Sequence, residues 1–167
     1  RVHPCLILKN SYIANVNGVL NAIVVDGNPI GRSVLQGEGA GPGPTSSALI
    51  SDLCSILKGK IKYPFGVSCY LRKKIEKFNI LNHSCSSYLR IEVKDQPGVL
   101  SSITKIFAKN KISIKNLIQI PDRKNKKANV VIITHENLEK NFNNLLTNLC
   151  KNKFVLKKPI FIRIEKI

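Results

Sequence analysis

The second half of the chain shows the most regular alternation of apolar and polar residues. Residues 88–94 alternate in this way and predict a strand with one polar face. The apolar positions of this strand are Leu89, Ile91 and Val93. A helix is predicted to begin at Pro97, with Asp95 or Gln96 available as its cap. Its apolar face would consist of Val99, Leu100, Ile103, Ile106 and Phe107.

The pattern continues to the end of the chain with three more strands and one more helix. Apolar residues on one side of a second strand are Ile112, Ile114, Ile118 and Ile120, and a third strand covers 129–134. A helix from about Glu136 would bury Leu138, Phe142, Leu145, Leu146 and Leu149. The last strand, 160–166, would turn Ile160, Ile162 and Ile164 inward. The order strand–helix–strand–strand–helix–strand over 88–167 predicts a ferredoxin-like βαββαβ domain of mixed α/β (α+β) class.

The first 58 residues predict a β-rich segment that ends in a helix. A half-buried strand from Val19 to Val25 is followed by a turn at 26–29 and a returning strand from Ile30 to Gln36. A loop rich in glycine and proline follows, and Thr45 is a plausible cap for the next helix. Leu49, Leu53, Ile56 and Leu57 fall on one face of that helix. Residues 59–87 lose this regularity and are predicted to be a linker between domains 1–58 and 88–167.

The net charge of +17 raises the question of a nucleic-acid partner. The surplus consists of 21 Lys against 6 Arg, and 17 Asn accompany it. These basic residues are scattered, which favours compositional drift over a functional basic surface, and we expect no nucleic acid as partner. No run approaches the roughly 18 consecutive apolar residues of a membrane helix, so we expect no membrane either.

Cysteine and histidine spacing points to neither a metal site nor a catalytic nucleophile. The five Cys are widely separated and form no C-x-x-C pair, and the three His stand apart from one another. We therefore expect reduced thiols in the cytoplasm, no metal and no catalytic residue within this chain. The chain also contains no Met and begins with Arg, and we interpret it as part of a longer polypeptide.

The glycine-rich loop at 37–43 lies between a strand and a helix, where backbone amides could meet a phosphate. It does not match the G-x-G-x-x-G fingerprint, because Pro42 and Pro44 occupy the last glycine position in the two possible registers. The spacing alone leaves two interpretations open, a tight connection or a loop that faces a ligand.

Residues 15–53 strongly resemble the distal part of the catalytic domain of homoserine dehydrogenases. That family carries a pattern close to V-x-G-V-x-N-A, followed by G-x-G-A-G-x-x-P-T-A-S-A-V-x-x-D. The residues that match are Val16, Gly18, Val19, Asn21 and Ala22, then Gly37, Gly39, Ala40, Gly41, Pro44, Thr45, Ser47, Ala48 and Asp52. Ser46 and Leu49 replace the usual Ala and Val.

From Tyr88 onward the chain resembles an ACT regulatory domain. The segment RIEVKDQPGVL at 90–100 resembles the opening strand, turn and helix of that domain. One departure is Lys111, which occupies the place where a Gly usually ends the first helix. If that position requires a positive φ, Lys costs about 1 kcal/mol, unless Asn110 adopts that conformation instead.

The first resemblance implies an enzyme that interconverts L-homoserine and L-aspartate 4-semialdehyde with NAD(P)(H). In that family the dinucleotide domain and the catalytic lysine come before the segment that matches Arg1, so most of the NAD(P) contacts would lie there. The loop residues implied to lie beside the nicotinamide are Gly39, Ala40 and Gly41. The helix over 45–57 would pack between domains.

The ACT resemblance implies an amino-acid effector, with threonine expected as the pathway end product. The backbone amides of Gly98, Val99 and Leu100 would bind its carboxylate. Asp95 would receive its ammonium group, unless it serves only as a helix cap, and Asn116 is a further candidate ligand. We expect pairing through this half, in a homodimer or tetramer. The alternative is a non-catalytic, amino-acid-binding regulatory subunit that acts on a separate enzyme.

Overall fold

A computed structural model describes residues 2–59, 66–72, 76–122 and 124–166. The chain forms two compact units. The sheet unit contains residues 2–8 and 78–166, and the hairpin unit contains the described residues between 9 and 77. Residues 2–8 therefore group with the second half of the chain, whereas the sequence predicted a division into 1–58, 59–87 and 88–167.

The described elements are eight strands and three α-helices. The strands are β1 (Cys5–Ile7), β2 (Leu20–Gly27), β3 (Gly31–Glu38), β4 (Ser84–Lys94), β5 (Ile114–Asp122), β6 (Lys127–Thr134), β7 (Asn137–Leu138) and β8 (Ile160–Glu165). The helices are α1 (Pro42–Leu57), α2 (Val99–Lys109) and α3 (Glu139–Cys150). No described helix is both long enough and apolar enough to span a membrane.

The sheet unit confirms the predicted ferredoxin-like order. Its strands run β1-β8-β4-β6-β5, and the four that follow β1 form the antiparallel sheet of the βαββαβ pattern. Helices α2 and α3 form one core with the inner face of this sheet, through residues such as Phe107 and Phe142. Strand β1 adds in parallel to β8, and the short β7 pairs with the start of β4, neither of which the sequence predicted.

Strand β4 begins at Ser84, four residues before the predicted start at Tyr88. Its alternation already holds at Cys85 and Ser87, which are 4% and 0% exposed. Ser87 can be buried because its polar groups are hydrogen-bonded: its hydroxyl and its backbone amide both lie 3.0 Å from Oγ1 of Thr134. Small polar residues of this kind give no apolar signal, which explains the late predicted start.

The faces of β5 and β8 that the sequence predicts to be buried are wrong. An irregularity in the β5–β6 pairing between Ile114 and Asn116 shifts the alternation, so that Ile118 and Ile120 are 58% and 55% exposed. In β8 the residue that packs against the core is Phe161, and its ring centroid lies 5.4 Å from that of Phe142. The predicted inward residues Ile160, Ile162 and Ile164 alternate with Phe161 and lie on the other face.

The predicted helix starts in the sheet unit also need correction. Helix α2 begins at Val99 with Gly98 as its cap residue, and no side chain caps it. Asp95 and Gln96 are therefore not its caps. Helix α3 begins at Glu139 rather than Glu136, because residues 137–138 pair with β4 instead.

At the end of α2, the residue with a positive φ is Lys111 and not Asn110. Lys111 has a φ of +57° and Asn110 has a φ of −91°, so Lys111 takes the left-handed position. The amide of Lys111 donates to the carbonyl of Ala108, and the amide of Ile112 donates to that of Phe107, each over 3.0 Å. These are the two hydrogen bonds of a Schellman motif.

The hairpin unit contains the antiparallel pair β2–β3 and helix α1. The helix begins at Pro42 after the cap residue Gly41, so Thr45 is not its cap. Its apolar residues Leu49, Leu53, Ile56 and Leu57 are 56–76% exposed in this chain. The predicted linker contains short 3-10 turns at Cys69–Leu71 and Ile80–Asn82, and the predicted linker residues 60–65 and 73–75 lie outside the described residues.

Candidate functional site

A groove in the sheet unit lies beside the start of α2. It has a volume of about 460 Å³ and is open to solvent. Its lining residues are Asp95, Gln96, Pro97, Gly98, Val99, Leu100, Ser101 and Gln119. Four of the five predicted effector residues, Asp95 and 98–100, are therefore brought together in one place.

The start of α2 supplies the positive end of the groove. Gly98 has a φ of +87°, a conformation that favours glycine, and it turns the chain into the helix. No side chain caps the first turn, so amides that a cap would otherwise occupy are available to a ligand. The free amides and the helix dipole favour a carboxylate at this position.

The opposite charge in the groove comes from Asp95. Its Oδ1 accepts a hydrogen bond of 3.1 Å from Nε2 of Gln119, and both side chains are exposed. The backbone amide of Asp95 donates to the carbonyl of Lys126 over 3.0 Å, which holds the backbone of Asp95 directly after β4. A ligand with a carboxylate and an ammonium group would therefore meet complementary partners.

The fifth predicted residue, Asn116, does not line this groove. It lies at the irregularity in β5, where it pairs with Ile133 of β6. Gln119 and Ser101 do line the groove, and the sequence did not identify them as site residues. Gln119 could not be assigned, because the shift in β5 decides which face of the strand it occupies.

The predicted cofactor loop lies in the hairpin unit. Gly39 borders a shallow groove of about 260 Å³ together with residues of β2 and β3, including Asn21. A Cβ built on Gly39 would lie 2.0 Å from Nδ2 of Asn21, so a side chain at position 39 would require the exposed Asn21 side chain to move. Gly41 has a φ of +113°, which also favours glycine, and the loop is exposed at Ala40.

A buried ion pair joins α3 to the sheet within the sheet unit. Glu139 is 2% exposed, and its carboxylate accepts hydrogen bonds from Nε of Arg163 over 2.9 Å and from Nη2. Hydrogen bonding to Glu139 raises the pKa of Arg163, against the opposing effect of burial. The guanidinium also lies 4.9 Å from the centroid of the Phe161 ring.

Comparison with known proteins matches both units. The family model described as homoserine dehydrogenase matches residues 1–54, and the ACT domain model matches residues 87–153. Homoserine dehydrogenase of Helicobacter pylori is 36% identical over 165 residues, which cover 99% of this chain and 39% of that protein. The chain belongs to the homoserine dehydrogenase family. The homoserine dehydrogenase of Pseudomonas aeruginosa is 31% identical and matches over 100% of this chain and 40% of its own length.

A solved homoserine dehydrogenase structure supports the same conclusion. The crystal structure of the homoserine dehydrogenase from Thiobacillus denitrificans matches with a TM-score of 0.84 and 32% identity. The match covers 99% of this chain and 38% of that chain. The chain therefore spans about two fifths of the length of the homoserine dehydrogenases that it matches.

Proposed function

We propose that this chain is the C-terminal part of a homoserine dehydrogenase that interconverts L-homoserine and L-aspartate 4-semialdehyde with NAD(P)(H). The observation that carries this proposal is the 36% identity with the Helicobacter pylori relative, which extends over 99% of this chain. The reaction would belong to threonine and methionine biosynthesis in the cytoplasm. In this proposal the dinucleotide domain and the catalytic lysine belong to a preceding part of the polypeptide.

Within that enzyme, the loop formed by Gly39, Ala40 and Gly41 would lie beside the nicotinamide. Hydride transfer needs the donor and acceptor carbons near contact, and a loop with little side-chain bulk permits such an approach. The close approach of Gly39 to Asn21 of β2 supports this role, because it places the loop beside β2, with the exposed Ala40 between two glycines. The exposed apolar face of α1 would pack against another domain of the enzyme.

The groove beside α2 would bind an amino-acid effector, and we propose L-threonine. Its carboxylate would accept hydrogen bonds from amides of residues 98–100, and its ammonium group would meet Asp95. Gln119 would then position Asp95 and offer its amide oxygen to the hydroxyl of threonine. The support is the combination in one groove of an uncapped helix start and a carboxylate that is hydrogen-bonded to Gln119.

Pairing of two chains through the ACT domain is part of the same proposal. Strand β5 lies at the edge of the sheet, and its Ile118 and Ile120 are more than half exposed. An open edge with exposed apolar residues favours association with another strand. Light scattering coupled to size-exclusion chromatography tests this, because a homodimer or tetramer is expected and a monomer would contradict it.

The catalytic proposal is tested on the complete reading frame that encodes this chain. A dinucleotide-binding domain encoded ahead of residue 1, together with aspartate-semialdehyde-dependent oxidation of NADPH or NADH, would support it. A start codon directly before this segment would instead indicate the non-catalytic regulatory subunit. Titration calorimetry of this chain with L-threonine tests the effector site independently of turnover, with L-alanine and L-glutamate as comparison ligands.

A further inference from the structure

A histidine, a cysteine and a glutamate meet at one end of the sheet unit, away from the effector groove. They are His83, directly before β4, Cys85 within β4, and Glu165 at the end of β8. One potential ligand atom from each residue lies within 4.8 Å of the other two. Nε2 of His83 and Oε1 of Glu165 are already 3.2 Å apart.

The sheet itself creates this arrangement. Ser86 pairs with Ile164 in the antiparallel β4–β8 register, so Cys85 and Glu165 are neighbours on adjacent strands. His83 precedes Cys85 by two residues, and its carbonyl accepts a 2.8 Å hydrogen bond from the amide of Glu139. Because strands alternate with a period of two, the three side chains lie on one face.

We propose that His83, Cys85 and Glu165 bind one Zn²⁺ ion, with water as the fourth ligand. Imidazole nitrogen, thiolate sulfur and carboxylate oxygen are the donor types that zinc takes in proteins. Tetrahedral bonds of about 2.0–2.3 Å place ligand atoms about 3.3–3.8 Å apart, so modest side-chain rotations would close the present cluster around an ion.

Charge and access also suit a divalent cation. A thiolate and a carboxylate together balance the two charges of Zn²⁺, so the occupied site would be neutral. Cys85 is 4% exposed, whereas the side chains of His83 and Glu165 are 32% and 21% exposed, which leaves an entry path from solvent. Arg163 interacts electrostatically with Cys85, but its positive charge is balanced by its ion pair with Glu139, which limits its repulsion of a bound cation.

This site departs from the sequence-based expectation of no metal. The spacing His83-x-Cys85 is short, but the third residue follows 80 positions later, on a strand that pairing alone brings alongside. Bound zinc would join the start of β4 to the end of β8, and so close the strand ends of the sheet unit. This role is independent of catalysis and of threonine binding.

The test uses Co²⁺ as a spectroscopic probe on the full chain. The background variant carries Cys5→Ser, Cys54→Ser, Cys69→Ser and Cys150→Ser, all at exposed positions, so that Cys85 is its one thiol. We expect this variant to bind one Co²⁺ with a sulfur-to-cobalt charge-transfer absorption, and Zn²⁺ to displace the Co²⁺. His83→Gln and Glu165→Gln should each weaken binding by more than about tenfold.

The controls distinguish this site from adventitious binding. His135→Gln removes an exposed histidine elsewhere in the sheet unit and should leave the affinity unchanged. Adding Cys85→Ser to the background should abolish the charge-transfer band while the circular dichroism spectrum is retained. Absence of a thiolate band in the background variant would overturn the proposal. A Co²⁺ affinity that neither His83→Gln nor Glu165→Gln changes would also overturn it. Because His83 and Glu165 are only half-buried, we expect these two variants to fold, and they test the site even if Cys85→Ser does not fold.

Discussion

Gln119 of β5 donates a 3.1 Å hydrogen bond to the carboxylate of Asp95, which connects an edge strand to the loop that precedes α2. This contact forms the floor of the groove whose other side is the uncapped start of the helix. It replaces the helix-cap interpretation of Asp95, because no side chain caps α2 and the partner of the carboxylate lies on β5. Asp95 is therefore not a cap of α2.

Asp95→Asn should weaken binding of L-threonine at least about tenfold, because it removes the charge that would face the ammonium group. Titration calorimetry on the full chain measures this change. Asp122 lies on the same strand as Gln119 but outside the groove, so Asp122→Asn should leave the affinity for L-threonine unchanged. Equal threonine affinity in Asp95→Asn and the unsubstituted chain would exclude Asp95 as the ammonium ligand.

Arg163→Met should destabilise the sheet unit by about 3–5 kcal/mol, because it leaves the buried carboxylate of Glu139 without its main counter-charge. Replacing both residues, Glu139→Leu with Arg163→Met, should recover most of this loss. Urea unfolding followed by circular dichroism measures the single and the double variant with the unsubstituted chain as reference. If the single and double variants are equally destabilised, burial of an unpaired charge is not the cause.

Lys111→Gly should stabilise the sheet unit by about 1 kcal/mol, because Lys111 holds a φ of +57° at the end of α2. The same substitution in the interior of the helix, Lys105→Gly, should cost about 1 kcal/mol and serves as the matched control. The melting temperature should therefore move in opposite directions for these two substitutions. A lower melting temperature for Lys111→Gly would contradict the assigned strain.

Gly39→Ala should cost about 0.5–1.5 kcal/mol of local stability in the hairpin unit, because the added Cβ would lie 2.0 Å from Nδ2 of Asn21 and this exposed side chain would have to change its rotamer. Asn21→Ala in the same chain should relieve most of this cost by removing the clashing amide. Hydrogen exchange of the β2 and β3 amides reports the effect locally. Equal exchange in the single and double variants would show that Asn21 does not limit the size of residue 39.

Periodicity in the sequence predicted the βαββαβ order, because β4, α2, β6 and α3 bury large aliphatic or aromatic residues at regular spacing. Periodicity predicted the wrong buried face for two strands, β5 and β8. The irregularity at Ile114 and Asn116 reverses the faces of β5, and a single aromatic residue, Phe161, decides the inner face of β8. Strand β1 could not be predicted, since its partner Arg163 lies more than 150 residues away.

The sequence identified site residues that lie close together along the chain, but it missed those that only strand pairing brings together. The amides at 98–100 and the Asp95 carboxylate belong to one continuous segment, so the sequence identified them together. Gln119 reaches that segment only through sheet pairing, and Glu165 reaches Cys85 in the same way. The glycine at position 39 was recognised from its motif, but the steric reason, Asn21, required the β2–β3 pairing to be seen.

The most direct test is the rate of NADPH oxidation with L-aspartate 4-semialdehyde by the complete polypeptide, measured with and without L-threonine. We predict turnover that threonine inhibits, and an Asp95→Asn variant that keeps the basal rate but needs at least about tenfold more threonine for the same inhibition. Absence of turnover with both NADPH and NADH would contradict the assignment as a homoserine dehydrogenase. Turnover that threonine inhibits equally in both proteins would contradict the effector site at Asp95.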